Sequence, residues 1–258
     1  MNDSVLRYKD FKIVSLIIGR GGSFLKDKNI LKILGSPLLH WTASAAIKSS
    51  LISRYYISSD CEKILNAGQL AGYKKIRRPS VLASGNAQSC DAVLHDLQEI
   101  ELEGAVDIVV VQHANVATIK TEMIDDCIKI LIDKGPEKCS AVIPSHECSE
   151  YHPLRAQKIE KDGISVPYVK NTNPISANRQ DLPKAIFFDH SFWAVWSSSI
   201  KNMHCNPLNH PWPCMGQKIV PYITEGCFDI HNLEDIQKTK EWIINNHIKK
   251  PEFIFHDN

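Results

Sequence analysis

Residues 11–18, FKIVSLII, read as one continuous apolar run. A strand with one wet face would alternate apolar and polar residues, so an unbroken run belongs to a strand covered on both faces. That demand recurs along the first half of the chain. RYYIS (54–58), a short stretch near YKKI and DIVVVQ (107–112) have strand character, and CSAVIPS does so again. Between them lie segments with helical spacing: LLHWTASAAIKSS after Ser36-Pro37, CEKILNAGQLAG ending at Gly72, residues 89–103, and TEMIDDCIKILIDK at 121–134. Ser36 is expected to cap the first helix, with Pro37 in its first turn. Strands alternating with helices predict an α/β fold, a mostly parallel sheet with helices on both faces.

The rhythm breaks at 145–185, which is rich in His, Pro, Asn and short polar runs. This stretch is expected to leave the sheet as an inserted arm or subunit contact within a single domain spanning 1–258. AIFFDHSFWAVW (185–196) returns to strand pattern, 201–217 is a proline-punctuated loop, and LEDIQKTKEWIINNHI is a terminal amphipathic helix.

In parallel sheets ligands bind beyond the carboxyl ends of the strands. The first strand runs there into GRGGSFLKDKN, where glycines let backbone N–H groups approach phosphate oxygens and Arg20 and Lys28 supply positive charge. The P-loop pattern GxxxxGK[ST] is absent. A dinucleotide fingerprint begins at Gly19-x-Gly21, but Phe24 stands where the third glycine belongs, and Asp60 comes too late for the ribose-binding acid. That leaves a loop wrapping a nucleoside triphosphate, with a solvated surface turn as the plain alternative. Net charge is +1, from 30 basic and 29 acidic residues, so no global field favours nucleic acid or a membrane surface. The N-terminus lacks the apolar core of a signal peptide and no apolar run approaches 18 residues, from which a cytoplasmic location is expected. The eight cysteines show no CxxC pair and are expected to be reduced and buried. His204, Cys205, His210 and Cys214 match no common zinc spacing.

Six stretches taken in order carry a resemblance. GRGGSFLKDKN, YYISSD, RRPSVLASGNAQS, VVVQ, YHPLR and FDIHNLEDI resemble the motifs of the acylneuraminate cytidylyltransferases, the CMP-sialic acid synthetase family, over roughly residues 11–245. The resemblance implies a Rossmann-like fold and a dimer formed through the arm. It also implies Mg²⁺-dependent coupling of CTP to a 3-deoxy-2-ulosonic acid sugar, with release of pyrophosphate. Carried over residue by residue, Arg20, Ser23, Lys28 and Asn29 would contact the triphosphate and nucleoside, with the backbone of Gly21 and Gly22 beside them. Arg78 and Ser89 would hold the cytidine end, Gln112 would face the sugar acid, and His152 would shape the sugar side or the arm. Asp229 would ligate the metal. The family's D-x-D metal pair is here Asp229-Ile230-His231, and an imidazole suits Mn²⁺ better than Mg²⁺. The loop motif has also lost a lysine and a glycine at Phe24 and Leu25. These departures keep open a second reading, a nucleotide-binding or regulatory homologue with weakened catalysis. An NAD(P)-dependent oxidoreductase survives only on Gly19-x-Gly21.

Overall fold

The computed structural model describes residues 8–22, 25–170, 174–205 and 211–253. In chain order it contains β1 (Ile13–Ile18), a small hairpin of β2 (Lys32–Ile33) and β3 (Ser36–Pro37), α1 (Leu38–Ile47), β4 (Arg54–Ser59), α2 (Glu62–Leu70), β5 (Lys74–Arg77), α3 (Ser89–Glu101) and β6 (Ile108–His113). There follow α4 (Thr121–Lys134), β7 (Ala141–Glu147), β8 (Gln157–Ile159), β9 (Ser165–Pro167), β10 (Ile186–Phe188), β11 (Phe192–Trp196), α5 (Ser197–Lys201), β12 (Ile219–Ile223) and α6 (Leu233–Asn245).

Eight strands form one sheet in the order β10-β7-β11-β6-β1-β4-β5, with β12 also paired to β7. Strand β1 is parallel to β4 on one side and to β6 on the other, β5 continues the parallel half, and β10 and β11 run antiparallel. All six residues of β1 are buried, as the unbroken apolar run requires. Its side chains alternate between two covers. Val14, Leu16 and Ile18 meet the layer holding Val93, Leu97 and Ile100 of α3. Ile13 packs with Ala45 and Ala46 of α1 and Ile124 and Ile128 of α4, while Ile17 packs with Leu39 of α1 and Leu65 of α2. The fold is thus the expected Rossmann-like α/β sandwich, with a parallel central half and antiparallel strands β10 and β11 on the other side.

Three local expectations are corrected. Ser36 does not cap α1: it is buried and paired with Ile33 in the small hairpin, and the helix opens with the Leu38 N–H bonded to the Leu31 carbonyl at 2.8 Å. The stretch 185–196 is two strands, because the chain turns at Asp189–Ser191 between β10 and β11. Cys90 and Cys214 are joined as a disulfide, so not every thiol is free; the other six cysteines are unbonded. The expected excursion at 145–185 starts later than 145, because 145–147 still belong to β7; beyond them the chain leaves the main sheet, and β8 and β9 pair only with each other as an exposed hairpin.

Helix α2 lies so close to β4 that Gly68 has no room for a side chain. A Cβ built there would sit 2.7 Å from Cγ2 of Ile57, a core residue. Gly68→Ala is therefore expected to destabilise the protein by about 1–3 kcal/mol through overpacking. Thermal denaturation checks this, with a fall in Tm of roughly 3–10 °C.

Candidate active site

At the carboxyl ends of β1, β5 and β6 the loops diverge around a cavity of about 570 Å³. Arg20, Lys28, Asn29, Arg78, Ser89 and His231 all line it, although they come from four separate stretches of chain. Each is placed by a specific contact. Gly19 brings the chain off β1 hard against its neighbour, since a Cβ there would lie 2.8 Å from Cβ of Ala114 and 3.0 Å from Nδ2 of Asn29. Asn29, buried, donates from Nδ2 to the Arg20 carbonyl at 3.0 Å, which closes the loop onto its own start. Arg20 then donates from Nη1 to the Ser84 carbonyl at 3.2 Å, and so bridges to the far wall. Lys28 is half-buried; desolvation pulls its pKa down, the Asp229 carboxylate opposes this, and Arg20 adds to it.

Arg78 is the most enclosed of the cations, 7 % exposed. Its Nε donates to Oγ of Ser58 at 3.1 Å and its Nη2 to the Ser58 carbonyl at 3.3 Å. Beneath it lies Asp96 of α3, 0 % exposed, with Oδ2 at 3.8 Å from Nη2. Ser58 Oγ donates to Oδ1 of the same carboxylate at 2.8 Å, and His95 Nδ1 approaches Oδ1 at 3.1 Å. Burial pushes the Asp96 pKa up, against the lowering effects of Arg78 and Ser58.

Asp229 does not itself line the cavity but lies against two residues that do, accepting from Nδ2 of Asn115 and pairing with His231, and it forms a bridge with Val116. Its Oδ2 lies 3.0 Å from Nε2 of His231. Burial raises the Asp229 pKa, while His231, Lys28 and His190 lower it. His231 is set by the start of α6: Oδ2 of Asp235 accepts the His231 N–H at 2.8 Å and that of Asn232 at 3.0 Å, and Asn232 caps the helix in return. Asp235 is thus occupied as a helix cap. Among the described residues no group of three His, Cys, Asp or Glu side chains is arranged to hold a metal. One carboxylate and one imidazole fit a divalent cation only if a ligand's oxygens and water complete its shell.

Several candidates lie elsewhere. The N–H of Gly21 is taken by Oδ1 of Asp60 at 2.9 Å, so it is not free for a phosphate, and neither Gly21 nor the exposed Gly22 lines the cavity. Ser23 lies outside the described residues. Gln112 is wholly buried on the α1 side of β6. There Oε1 accepts from Ser15 at 2.6 Å and Nε2 donates to the Thr42 carbonyl at 2.9 Å, so it braces the core and does not face a sugar. His152 is also buried in the arm: Nδ1 accepts the Leu154 N–H at 3.2 Å and Nε2 pairs with the Pro183 carbonyl at 2.9 Å. Both of its ring nitrogens are engaged away from the cavity. Of the four residues considered for zinc, Cys214 is in the disulfide and His210 lies outside the described residues.

His113 is the residue that motif reading passed over. Side chains alternate along a strand, so the position after Gln112 faces the other way, into the cavity wall. Its ring packs edge-on against Trp193 at 5.0 Å and lies 6.1 Å from His190, and its Nε2 is buried without a hydrogen-bond partner.

A sequence profile of the family described as cytidylyltransferase matches residues 14–185, two-thirds of the chain. The chain belongs to the cytidylyltransferase family. It is 24% identical over 189 residues to N-acylneuraminate cytidylyltransferase A of Danio rerio, covering 72% of this chain and 42% of that protein. It is 28% identical over 150 residues to 3-deoxy-manno-octulosonate cytidylyltransferase of Bdellovibrio bacteriovorus, covering 58% and 54%. The chain therefore spans about half or less of the length of these relatives. A solved CMP:2-keto-3-deoxy-manno-octonic acid synthetase complexed with CTP has the same fold, with a TM-score of 0.66 at 14% identity over 91% of this chain and 99% of that one. A 4-diphosphocytidyl-2C-methyl-D-erythritol synthase from Anaerococcus prevotii superposes with a TM-score of 0.60 at 14% identity, covering 92% and 99%. Among the described residues of this cytidylyltransferase-family chain, no helix is long and apolar enough to cross a membrane.

Burial, with His190, Lys28 and Arg78 nearby, depresses His113 from 6.5 to about 3. An unfolded histidine takes a proton below 6.5, whereas the folded one resists until about 3. The stability this contributes is fully present above pH 6.5 and is lost as pH falls from 6.5 towards about 3. Tm measured against pH should fall less steeply across that window in His113→Asn than in the parent protein.

Proposed function

We propose that the protein transfers the cytidylyl group of CTP to the anomeric hydroxyl of a 3-deoxy-2-ulosonic acid, giving a CMP-sugar and pyrophosphate. The observation carrying this reading is the convergence of Arg20, Lys28 and Arg78 on one cavity at the sheet's carboxyl edge in a chain of this family. The acceptor class rests on the relatives, which include both an N-acylneuraminate and a 3-deoxy-manno-octulosonate cytidylyltransferase. The choice between sialic-acid-like and octulosonate acceptors goes to the sialic-acid-like class, on the order of the six motifs.

The acceptor oxygen attacks the α-phosphorus and pyrophosphate departs in line, so the protein's work is positioning and charge neutralisation. Arg20 and Lys28 would neutralise charge moving onto the departing pyrophosphate. Arg78 and Ser89, on the wall formed by α3, would hold the cytidine end, and Asn29 would fix the loop that carries both cations. Asp229 and His231 would hold a divalent cation, Mg²⁺ or Mn²⁺, which when bound offsets triphosphate charge. A cytoplasmic setting, where CTP is available, belongs to the same proposal.

The pairing of Asp229 with His231 and Asn115 favours a second reading, a nucleotide-binding homologue without turnover. The two part on pyrophosphate release from CTP with a panel of 3-deoxy-2-ulosonic acids, each tried with Mg²⁺ and Mn²⁺. Release is expected, and Lys28→Ala should lower kcat/KM by about 10- to 1000-fold. CTP binding without release under any combination would support the second reading, and a gain of activity in His231→Asp would identify a decayed enzyme.

The arm is proposed to join two copies. Tyr151, Ile159, Ile164 and Tyr168 are exposed around the β8–β9 hairpin, with Ile159 78% and Tyr151 77% accessible. Ile159→Asp should shift the protein from dimer to monomer in sedimentation velocity, because a charge at an apolar contact is not tolerated.

A further inference from the structure

Asp96 belongs to none of the motifs that point to the site, yet it is a wholly buried acid directly beneath a cavity cation. Its two oxygens are treated differently. Oδ1 accepts from Ser58 and meets His95, whereas Oδ2, aimed at Arg78, makes no hydrogen bond. At 3.8 Å that oxygen is too far from Nη2 for a hydrogen bond but close enough to act on its charge. Meanwhile Arg78 is fixed by Ser58 through Nε and Nη2, so its position and its charge are controlled by different atoms.

A buried carboxylate left half-satisfied calls for an explanation, since such groups are costly without one. A full salt bridge would draw the guanidinium down onto Asp96 and away from the cavity. Ser58 stands between the two and prevents this: it accepts from Arg78 and donates to Asp96. The arrangement keeps the guanidinium at the cavity wall with its charge partly offset from below.

We propose that Asp96 acts through Arg78, lowering its effective charge while Ser58 holds it at the cavity wall, so that a polyphosphate is gripped loosely enough to be released. The inference rests on the polyphosphate part of the reading above and goes beyond it by adding Arg78, there given to the cytidine end, to the cations of the same cavity that a polyphosphate meets. Its signature is a change of sign between two variants. Asp96→Asn still accepts from Ser58 but removes the negative charge, so Arg78 keeps its place and attracts anions more strongly. Ser58→Ala keeps both charges but removes the spacer, so Arg78 collapses onto Asp96.

The test is isothermal titration of inorganic pyrophosphate, and separately of CTP, into the parent protein and into Asp96→Asn, Ser58→Ala, Arg78→Gln and the Asp96→Asn/Arg78→Gln double variant. Asp96→Asn should bind pyrophosphate on the order of tenfold more tightly. Ser58→Ala should bind it more weakly, and the gain from Asp96→Asn should vanish in the Arg78→Gln background. Should Asp96→Asn fail to fold, the Ser58→Ala arm decides, with unchanged or tighter pyrophosphate binding overturning the inference. Weaker binding in both Asp96→Asn and Ser58→Ala, or an Asp96→Asn effect that persists without Arg78, would also overturn it. Pyrophosphate binding without CTP binding sinks the cytidylyl reading and leaves this comparison intact, whereas no polyphosphate binding by the parent protein sinks both.

Discussion

The site depends on how closely the chain can pass itself at the tip of β1. Three parallel strands, β4, β1 and β6, end side by side, and their last rungs continue into the loops: the Gly19 N–H reaches the Ser58 carbonyl at 3.1 Å, and the Ala114 N–H reaches that of Ile18 at 3.0 Å. These bonds draw the exits of β1 and β6 together until Gly19 lies against Ala114 and Asn29 with no space for a Cβ. Any side chain at Gly19 would wedge the two loops apart. The loop bearing Arg20 and Lys28 would then separate from the strand bearing His113. The cations meet because the backbones are allowed to touch.

Much of this could be read in the sequence because it follows from periodicity and solvent exclusion. The buried β1, the helix over 121–134 and the exposed excursion after β7 each follow from local patterning. The convergence of Arg20, Lys28, Asn29, Arg78 and Ser89 was legible as ordered motifs. What stayed hidden depends on which way a side chain turns and what it finds there. Gln112 and His113 are neighbours in sequence, but the pleat sends one into a buried network with Ser15 and Tyr73 and the other to the cavity. Asp96 was invisible for the same reason: on a helix it is one acid among several, and only the packing of α3 under β4 and β5 makes it a partner of Arg78. Ser36 shows the reverse error, a residue with a strong local preference for capping that tertiary pairing drew into a hairpin.

The chemistry of the cavity is divided between its two walls. On the α3 side, Arg78 and His113 are enclosed, and burial lowers both pKa values, opposed at Arg78 by Asp96 and Asp60 and reinforced at His113 by His190, Lys28 and Arg78. On the α6 side, His231 is open to solvent and held by the capping box, and Asp229 connects it to the β6 exit. A ligand entering between them meets an enclosed wall bearing Arg78 on one side and a more accessible rim bearing His231 on the other.

The outermost strand of the parallel half has a consequence for how copies of the chain can meet. Among the described residues β5 pairs only with β4. It presents Lys74 and Arg77 outward, with Lys74 tied to Glu103 at 2.6 Å and Lys75 to Glu62 at 3.1 Å. A dense row of charge on an unpaired ladder makes stacking of sheet upon sheet edge unfavourable, as natural β proteins commonly arrange to resist fibril growth. The same lysines that play no part in the cavity thus guard the chain against its own most adhesive geometry.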